Sequence, residues 1–153
     1  MTLIARYFAR YPEDADKVVL NIKGALGPRQ VPNGSPALVC QSVENCLRML
    51  GPRGRIDQCA CGRRDPDVPL EGTLGVLREL VEEGKIGGVG LSEGSAEIIR
   101  AAAKITKISS VEVDLSLFNT QPLTNGIAAA CEELNIPILA YASALFSYLA
   151  PDC

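Results

Sequence analysis

The sequence predicts an α/β fold in which a parallel sheet is covered by helices. Short apolar segments rich in β-branched residues alternate with longer segments of helical periodicity. The short segments are mostly apolar, which is typical of parallel strands buried on both faces. The first of them ends at a charged residue, Lys23, directly before Gly24. The carboxyl ends of parallel strands are where barrel enzymes hold their catalytic groups, so Lys23 is the first candidate site residue.

The alternation divides the whole chain into strands and helices. The predicted strands occupy 18–23, 56–61, 86–91, 110–118 and 136–141. The predicted helices between them occupy about 35–50, 70–84, 95–105 and 124–135. A further helix at the start is indicated by apolar residues at helical spacing, Leu3, Ile4, Tyr7 and Phe8. Since no linker or low-complexity stretch interrupts this pattern, we expect a single domain over residues 1–153.

Capping signals support the helix boundaries. Ser35 followed by Pro36 is a typical helix start, and Ser95 is a good N-cap for the fourth helix. Gly51 and Gly84 follow two of the predicted helices, where a C-terminal glycine is favoured.

Composition limits the classes of function. Of the 153 residues, 47% are apolar and 22% are charged, a globular balance. The net charge of −3, without a clustered basic face, argues against a nucleic-acid partner. No segment approaches the run of about 20 apolar residues that a membrane helix needs. The start of the chain also lacks the features of a signal peptide, so we expect a cytoplasmic protein with no membrane partner.

The six cysteines leave one alternative open. Cys59 and Cys61 form a Cys-x-Cys pair in a predicted strand, which is compatible with a metal site or a reactive thiol. The chain has no histidine and no second close pair, so we interpret the cysteines as small buried hydrophobic residues and expect no metal.

The glycine-rich segment 84–90 does not indicate a dinucleotide-binding turn. In an open doubly wound sheet such a turn follows a strand and opens a helix. Here the glycines follow a predicted helix and enter a strand, which suggests a helix stop and a tight turn instead. A barrel-type arrangement is therefore favoured over an open sheet.

Several segments resemble the aldo-keto reductase family. These are 64–71 (RDPDVPLE), 80–92 (LVEEGKIGGVGLS) and 136–141 (IPILAY), and 17–24 (KVVLNIKG) resembles the fungal pyridoxal-reductase-like branch. The resemblance implies an incomplete (β/α)8 TIM barrel of about five parallel strands, the family's third to seventh, in a chain truncated at both ends.

The resemblance also implies a reaction. The family reduces carbonyl groups of small molecules to alcohols with NADPH, using a tyrosine as proton donor, a lysine and an aspartate that tune it, and a nearby histidine. Lys23 matches the lysine, whereas the histidine position falls on Gly62. The tyrosine and aspartate belong to units that precede this match, and Tyr7 and Tyr11 fit neither role.

The cofactor-binding positions match in part. Ser92 matches the serine that contacts the nicotinamide amide, with Glu93 as the polar residue beside it. Glu112 stands where the family usually has glutamine, and Tyr141 matches the aromatic ring that stacks on the nicotinamide. The following loop, 142–145 (ASAL), lacks the usual glycine turn.

Other interpretations stay open at this point. The chain could be an inactive half-barrel that binds a partner or ligand, and its open sheet edges predict self-association. Lys23 could be an ion-paired surface charge, and Tyr141 a core aromatic. Glu112 and Asp114 share one strand face by period two, the arrangement of a paired-carboxylate site.

Overall fold

A computed structural model describes residues 2–25, 31–51, 55–61 and 63–143. Gly62 and the loop residues Ala144 and Leu145 lie outside these ranges. The strands are β1 (Asn21–Gly24), β2 (Gln58–Cys61), β3 (Val89–Ser92), β4 (Ile108–Asp114) and β5 (Ile138–Tyr141). The helices are α1 (Thr2–Arg10), α2 (Pro36–Leu50), α3 (Leu70–Glu82), α4 (Ala96–Ile105) and α5 (Ile127–Glu133).

The five strands form one parallel sheet in sequence order, β1-β2-β3-β4-β5. A helix lies between each strand and the next in the chain. This order confirms the predicted partial barrel, in which neighbouring strands are joined by covering helices. β1 and β5 are the outer strands of the described sheet.

Alternate residues of each strand face opposite sides of the sheet. One side packs against the helices and forms the core, where Leu77, Val89, Ile99 and Val111 are all fully buried. The opposite, concave face carries every second strand residue, as the register between strands shows. These are Asn21, Lys23, Gln58, Ala60, Gly90, Ser92, Ser110, Glu112, Asp114, Leu139 and Tyr141.

The helix ends follow the capping signals. Ser95 is the N-cap of α4, and its hydroxyl accepts a hydrogen bond from the Ile98 backbone N–H. Ser35 is the N-cap of α2, although its side chain makes no capping hydrogen bond. Gly51 and Gly84 both have positive φ angles, 67° and 72°, which confirms their role as helix stops.

Several predicted strand bounds differ from the observed ones, and two of the segments show the cause. The segment 18–23 was predicted as a strand, but β1 begins at Asn21, and Val19 before it is 75% exposed. Likewise 110–118 was predicted, but β4 ends at Asp114. Hydrogen bonds between the backbones of Ser116 and Asn119 form a turn there. Apolar residues outside a sheet carry the same sequence signal as those within it, and this explains both errors.

Within the described ranges, no helix is both long and apolar enough to cross a membrane.

Candidate functional site

The predicted site residues Lys23, Ser92, Glu112 and Tyr141 lie at the carboxyl ends of β1, β3, β4 and β5, on the concave face. Parallel strands end at the same edge of the sheet, so side chains from separate segments of the chain meet there.

Lys23 of β1 contacts one residue of β4 and one of β5 at this edge. Its Nζ lies 2.9 Å from Glu112 Oε2, and 5.3 Å from the centroid of the Tyr141 ring. The first contact is a charge pair rather than an aligned hydrogen bond. The second places the ammonium group over the aromatic face, within cation–π distance. Lys23 is thus both ion-paired and in contact with an aromatic ring.

Small residues leave space for this contact. β1 and β4 are separated by β2 and β3, whose residues opposite Lys23 in the register are Ala60 and Gly90. Side chains stand roughly perpendicular to a sheet. The side chains of Lys23 and Glu112 can therefore meet only if the sheet is curved and the residues between them are small. Ala60 and Gly90 are these small residues, and the amide of Gln58 lies close to Gly90.

Glu93 contributes the closest hydrogen bond at this edge. It follows β3 directly, and its Oε1 accepts a hydrogen bond of 2.6 Å from the Tyr141 hydroxyl and one of 3.1 Å from the Asp114 backbone N–H. The Tyr141 side chain is therefore fixed at its hydroxyl by Glu93 and faces Lys23 with its ring.

Tyr141 is a poor proton donor in this arrangement. The hydrogen bond to Glu93 is the main cause that raises the pKa of Tyr141 to about 12, because it stabilises the neutral phenol. A catalytic tyrosine tuned by lysine would need the opposite shift, with the cation at its hydroxyl. Tyr141 therefore presents its ring face to Lys23, and its hydroxyl is not suited to the role of proton donor.

Tyr7 and Tyr11 lie elsewhere. Tyr7 belongs to α1, donates a 2.9 Å hydrogen bond to Asp14, and has its ring centroid 5.1 Å from that of Tyr11. These contacts are local to the first seventeen residues. That these two tyrosines fill neither catalytic role stays a prediction.

The concave edge carries groups that complement a carboxamide. Asp114 Oδ1 is buried and has no hydrogen-bond partner among the described residues. Ser92, 8% exposed, is the register partner of Glu112. A primary carboxamide needs a donor for its carbonyl and acceptors for its N–H groups; the hydroxyl can supply the first and the carboxylates the second. These residues fit the amide end of a nicotinamide.

The cysteine pair, Cys59 and Cys61, lies in β2, where burial disfavours ionisation of both thiols. Burial raises the pKa of Cys59 to about 12 and that of Cys61 to about 11, which suppresses the reactive thiolate. Among the described residues, no group of three or more cysteine, aspartate or glutamate side chains is placed to hold a metal ion. Cys59 and Cys131 are fully buried and act as core residues.

The model of the aldo/keto reductase family matches residues 1–149. The chain belongs to this family. It is 43% identical over 143 residues to a protein of Schizosaccharomyces pombe named "Probable pyridoxal reductase 2", covering 93% of this chain and 43% of that protein. An uncharacterized oxidoreductase of the same yeast is 34% identical over 142 residues, which are 92% of this chain and 42% of that protein.

Solved structures agree on the fold. A glycerol dehydrogenase from Gluconobacter oxydans superposes with a TM-score of 0.85 at 22% identity, over 99% of this chain and 47% of that structure. This aldo-keto reductase chain spans less than half the length of the curated relatives described above. The fold of its sheet and helices fits part of the (β/α) barrel of the solved structures.

Sequence reasoning missed two features of the site. Glu93 was noted only as the neighbour of Ser92, because its contact with Tyr141 spans 48 residues of sequence. The role of Ala60 and Gly90 depends on which strand face they occupy. Their alignment with Lys23 becomes visible only with the register of the strands.

Proposed function

We propose that this chain forms part of an NADPH-dependent reductase that converts a carbonyl group to an alcohol. The observation that carries the proposal is the convergence of Lys23, Glu112 and Tyr141 on one concave edge. Family membership supports the reaction class. The similarity to a protein named as a pyridoxal reductase makes a pyridoxal-like aldehyde the first substrate to test.

Each residue has a role in this proposal. The Tyr141 ring face would support the nicotinamide, and Ser92 would donate to its carboxamide oxygen while Glu112 accepts from its amide. Lys23 would stabilise negative charge beside the reacting carbonyl. It would also lower the pKa of the phenol of the proton-donating tyrosine, which is not Tyr141. The bound cofactor would supply the hydride. No described residue is assigned as the family's proton-donating tyrosine or as its aspartate. In this proposal, both side chains would have to come from outside the five strands of the described sheet.

Calorimetry with NADPH tests the proposal directly. Micromolar binding by the folded chain is the outcome expected if Ser92, Glu112 and the Tyr141 ring bind the nicotinamide as proposed. Lys23→Met should weaken binding, whereas Lys104→Met, an exposed change on α4, should not. A folded chain that shows no binding would contradict the proposal.

A second candidate function is a catalytically inactive half-barrel that binds a partner. The observation that favours it is the pair of outer strands, β1 and β5, each of which pairs with one strand only within the part of the chain that the structure describes. Leu139 of β5, on the concave face, is 40% exposed and adds apolar surface to this outer strand. Self-association of the isolated chain is expected from this arrangement, and light scattering that reports a clean monomer would argue against it.

A further inference from the structure

Glu93 is connected to two neighbouring strands from a single backbone position. It follows β3 with a φ angle of 58°, in the left-handed region that residues other than glycine rarely adopt. Its N–H donates a 3.0 Å hydrogen bond to the Glu112 carbonyl, and its Oε1 accepts from the Asp114 N–H. Two bonds to β4 therefore fix the direction in which the Glu93 side chain points.

The third bond reaches the outer strand. Tyr141 is the last residue of β5 and is 36% exposed, so little packing restrains its ring. Its hydroxyl donates a short, charge-assisted hydrogen bond of 2.6 Å to Glu93 Oε1. The ring is thus held at both ends, by its backbone in β5 and by its hydroxyl on Glu93.

We propose that Glu93 is a positioning residue that holds the Tyr141 ring in the orientation needed to stack on a nicotinamide. The inference rests on the proposed function, because it assigns Glu93 a part in the same cofactor site. Glu93 acts through Tyr141 and need not touch the reacting atoms. A preoriented ring would bind with a smaller loss of side-chain freedom than a mobile one.

Four charged groups act on Tyr141. Lys23 lies over its ring, while Glu93, Asp114 and Arg63 affect its ionisation. The Glu93 hydrogen bond is the largest cause of the raised pKa, Asp114 adds to it, and Arg63 opposes it. Removal of Glu93 should therefore lower the pKa of Tyr141 from about 12 toward its ordinary value of 10.0.

Phenolate absorption at pH 10 tests the hydrogen bond without any cofactor. Subtracting the spectrum of the Tyr141→Phe variant, prepared in each background, isolates the signal of Tyr141. The wild-type ring should be almost entirely neutral, whereas in Glu93→Ala a clear fraction, up to about half, should be ionised, because burial and Asp114 still raise the pKa. Glu93→Gln, which keeps an acceptor but no charge, should lie between them, and Glu132→Ala on α5 should match the wild type. Circular dichroism verifies folding, and an unchanged Glu93→Ala spectrum would overturn the inference.

NADPH binding tests the positioning itself. Glu93→Ala should weaken binding about tenfold and Glu93→Gln by less, a difference that calorimetry resolves. In the Tyr141→Phe background the Glu93→Ala change should have little further effect, because no hydroxyl remains to be held. If the losses of NADPH affinity caused by Glu93→Ala and Tyr141→Phe were additive, Glu93 would have only a structural role, and the inference would be overturned. Unchanged affinity of Glu93→Ala would overturn it while leaving the reductase proposal intact. Absence of binding by the folded wild-type chain would contradict the reductase proposal and remove the positioning role with it, whatever the phenolate spectrum shows.

Discussion

Lys23 and Glu112 form an ion pair of 2.9 Å although two further strands lie between β1 and β4. The side chains are 40% and 20% exposed, so the pair is partly shielded from water. Partly buried pairs offset much of their attraction by lost hydration. We therefore assign this pair mainly a role in arranging the site, and only a small part of the stability of the fold.

Glu112→Gln should strengthen NADPH binding. An amide supplies both a donor and an acceptor to the nicotinamide carboxamide, whereas a carboxylate supplies acceptors alone. The change also releases Lys23 from its ion pair. We expect a three- to tenfold gain in affinity, on the order of 1 kcal/mol. Calorimetry should show this gain for Glu112→Gln and none for Glu132→Gln, an exposed glutamate on α5. Weaker binding would show that the Lys23 pair itself is needed.

Gly90→Ala should destabilise the concave face. A Cβ atom at this position would lie 2.5 Å from Gln58 Nε2 and 3.2 Å from the Ala60 Cβ. Gln58 is buried and donates a hydrogen bond to the Ser110 hydroxyl, so its movement would break a buried contact. We expect a loss of about 1–3 kcal/mol in the free energy of unfolding in urea.

A matched glycine in α3 provides the control for Gly90. Nothing lies within 4 Å of a Cβ atom at Gly75, which occupies the interior of the helix. Gly75→Ala should therefore stabilise the chain by roughly 0.5–1 kcal/mol, because alanine is the better helix former. If both variants changed stability in the same direction, the steric account of Gly90 would be wrong.

The order of strands and helices was predictable because it depends on local patterns. Apolar runs, caps such as Ser95 and stops such as Gly84 each report on a few neighbouring residues. Lys23, Glu112 and Tyr141 were assigned to one site from the family resemblance, and strand ends of a parallel sheet share one edge.

The contacts within the site could be identified only from the structure. The bond from Tyr141 to Glu93 depends on the left-handed backbone at Glu93, which no local sequence signal marks. The exposed start of the segment 18–23 depends on where β2 begins to pair, and β2 is distant in sequence. Long-range register thus determined what the local patterns did not.

Ser95→Ala should lower stability more than Ser35→Ala. Both serines are N-caps, but only the Ser95 hydroxyl accepts a capping hydrogen bond, from the Ile98 N–H at 3.4 Å. A lost capping bond costs about 1 kcal/mol. Urea unfolding of the two variants measures the difference directly. Equal losses would mean that backbone preference, and not the hydrogen bond, determines both caps.

Cys59 should make the stability of the chain fall at alkaline pH. Burial raises the pKa of its thiol from 9.0 to about 12, so the folded state keeps a proton that the unfolded state releases. Between pH 9 and 12 the unfolded chain therefore binds fewer protons than the folded chain, and the free energy of unfolding decreases as pH rises. Below pH 9 this contribution is fully present.

Urea unfolding at pH 8, 9 and 10 measures that slope. Cys59→Ala should remove a decrease of up to about 1.4 kcal/mol per pH unit above pH 9, while other titrating groups contribute equally to both proteins. Val39→Ala is the control, because it removes a buried side chain that does not titrate. It should lower stability at every pH and leave the slope unchanged. A wild-type slope equal to that of Cys59→Ala would mean that the thiol ionises in the folded chain, and that the buried position of Cys59 does not hold in solution.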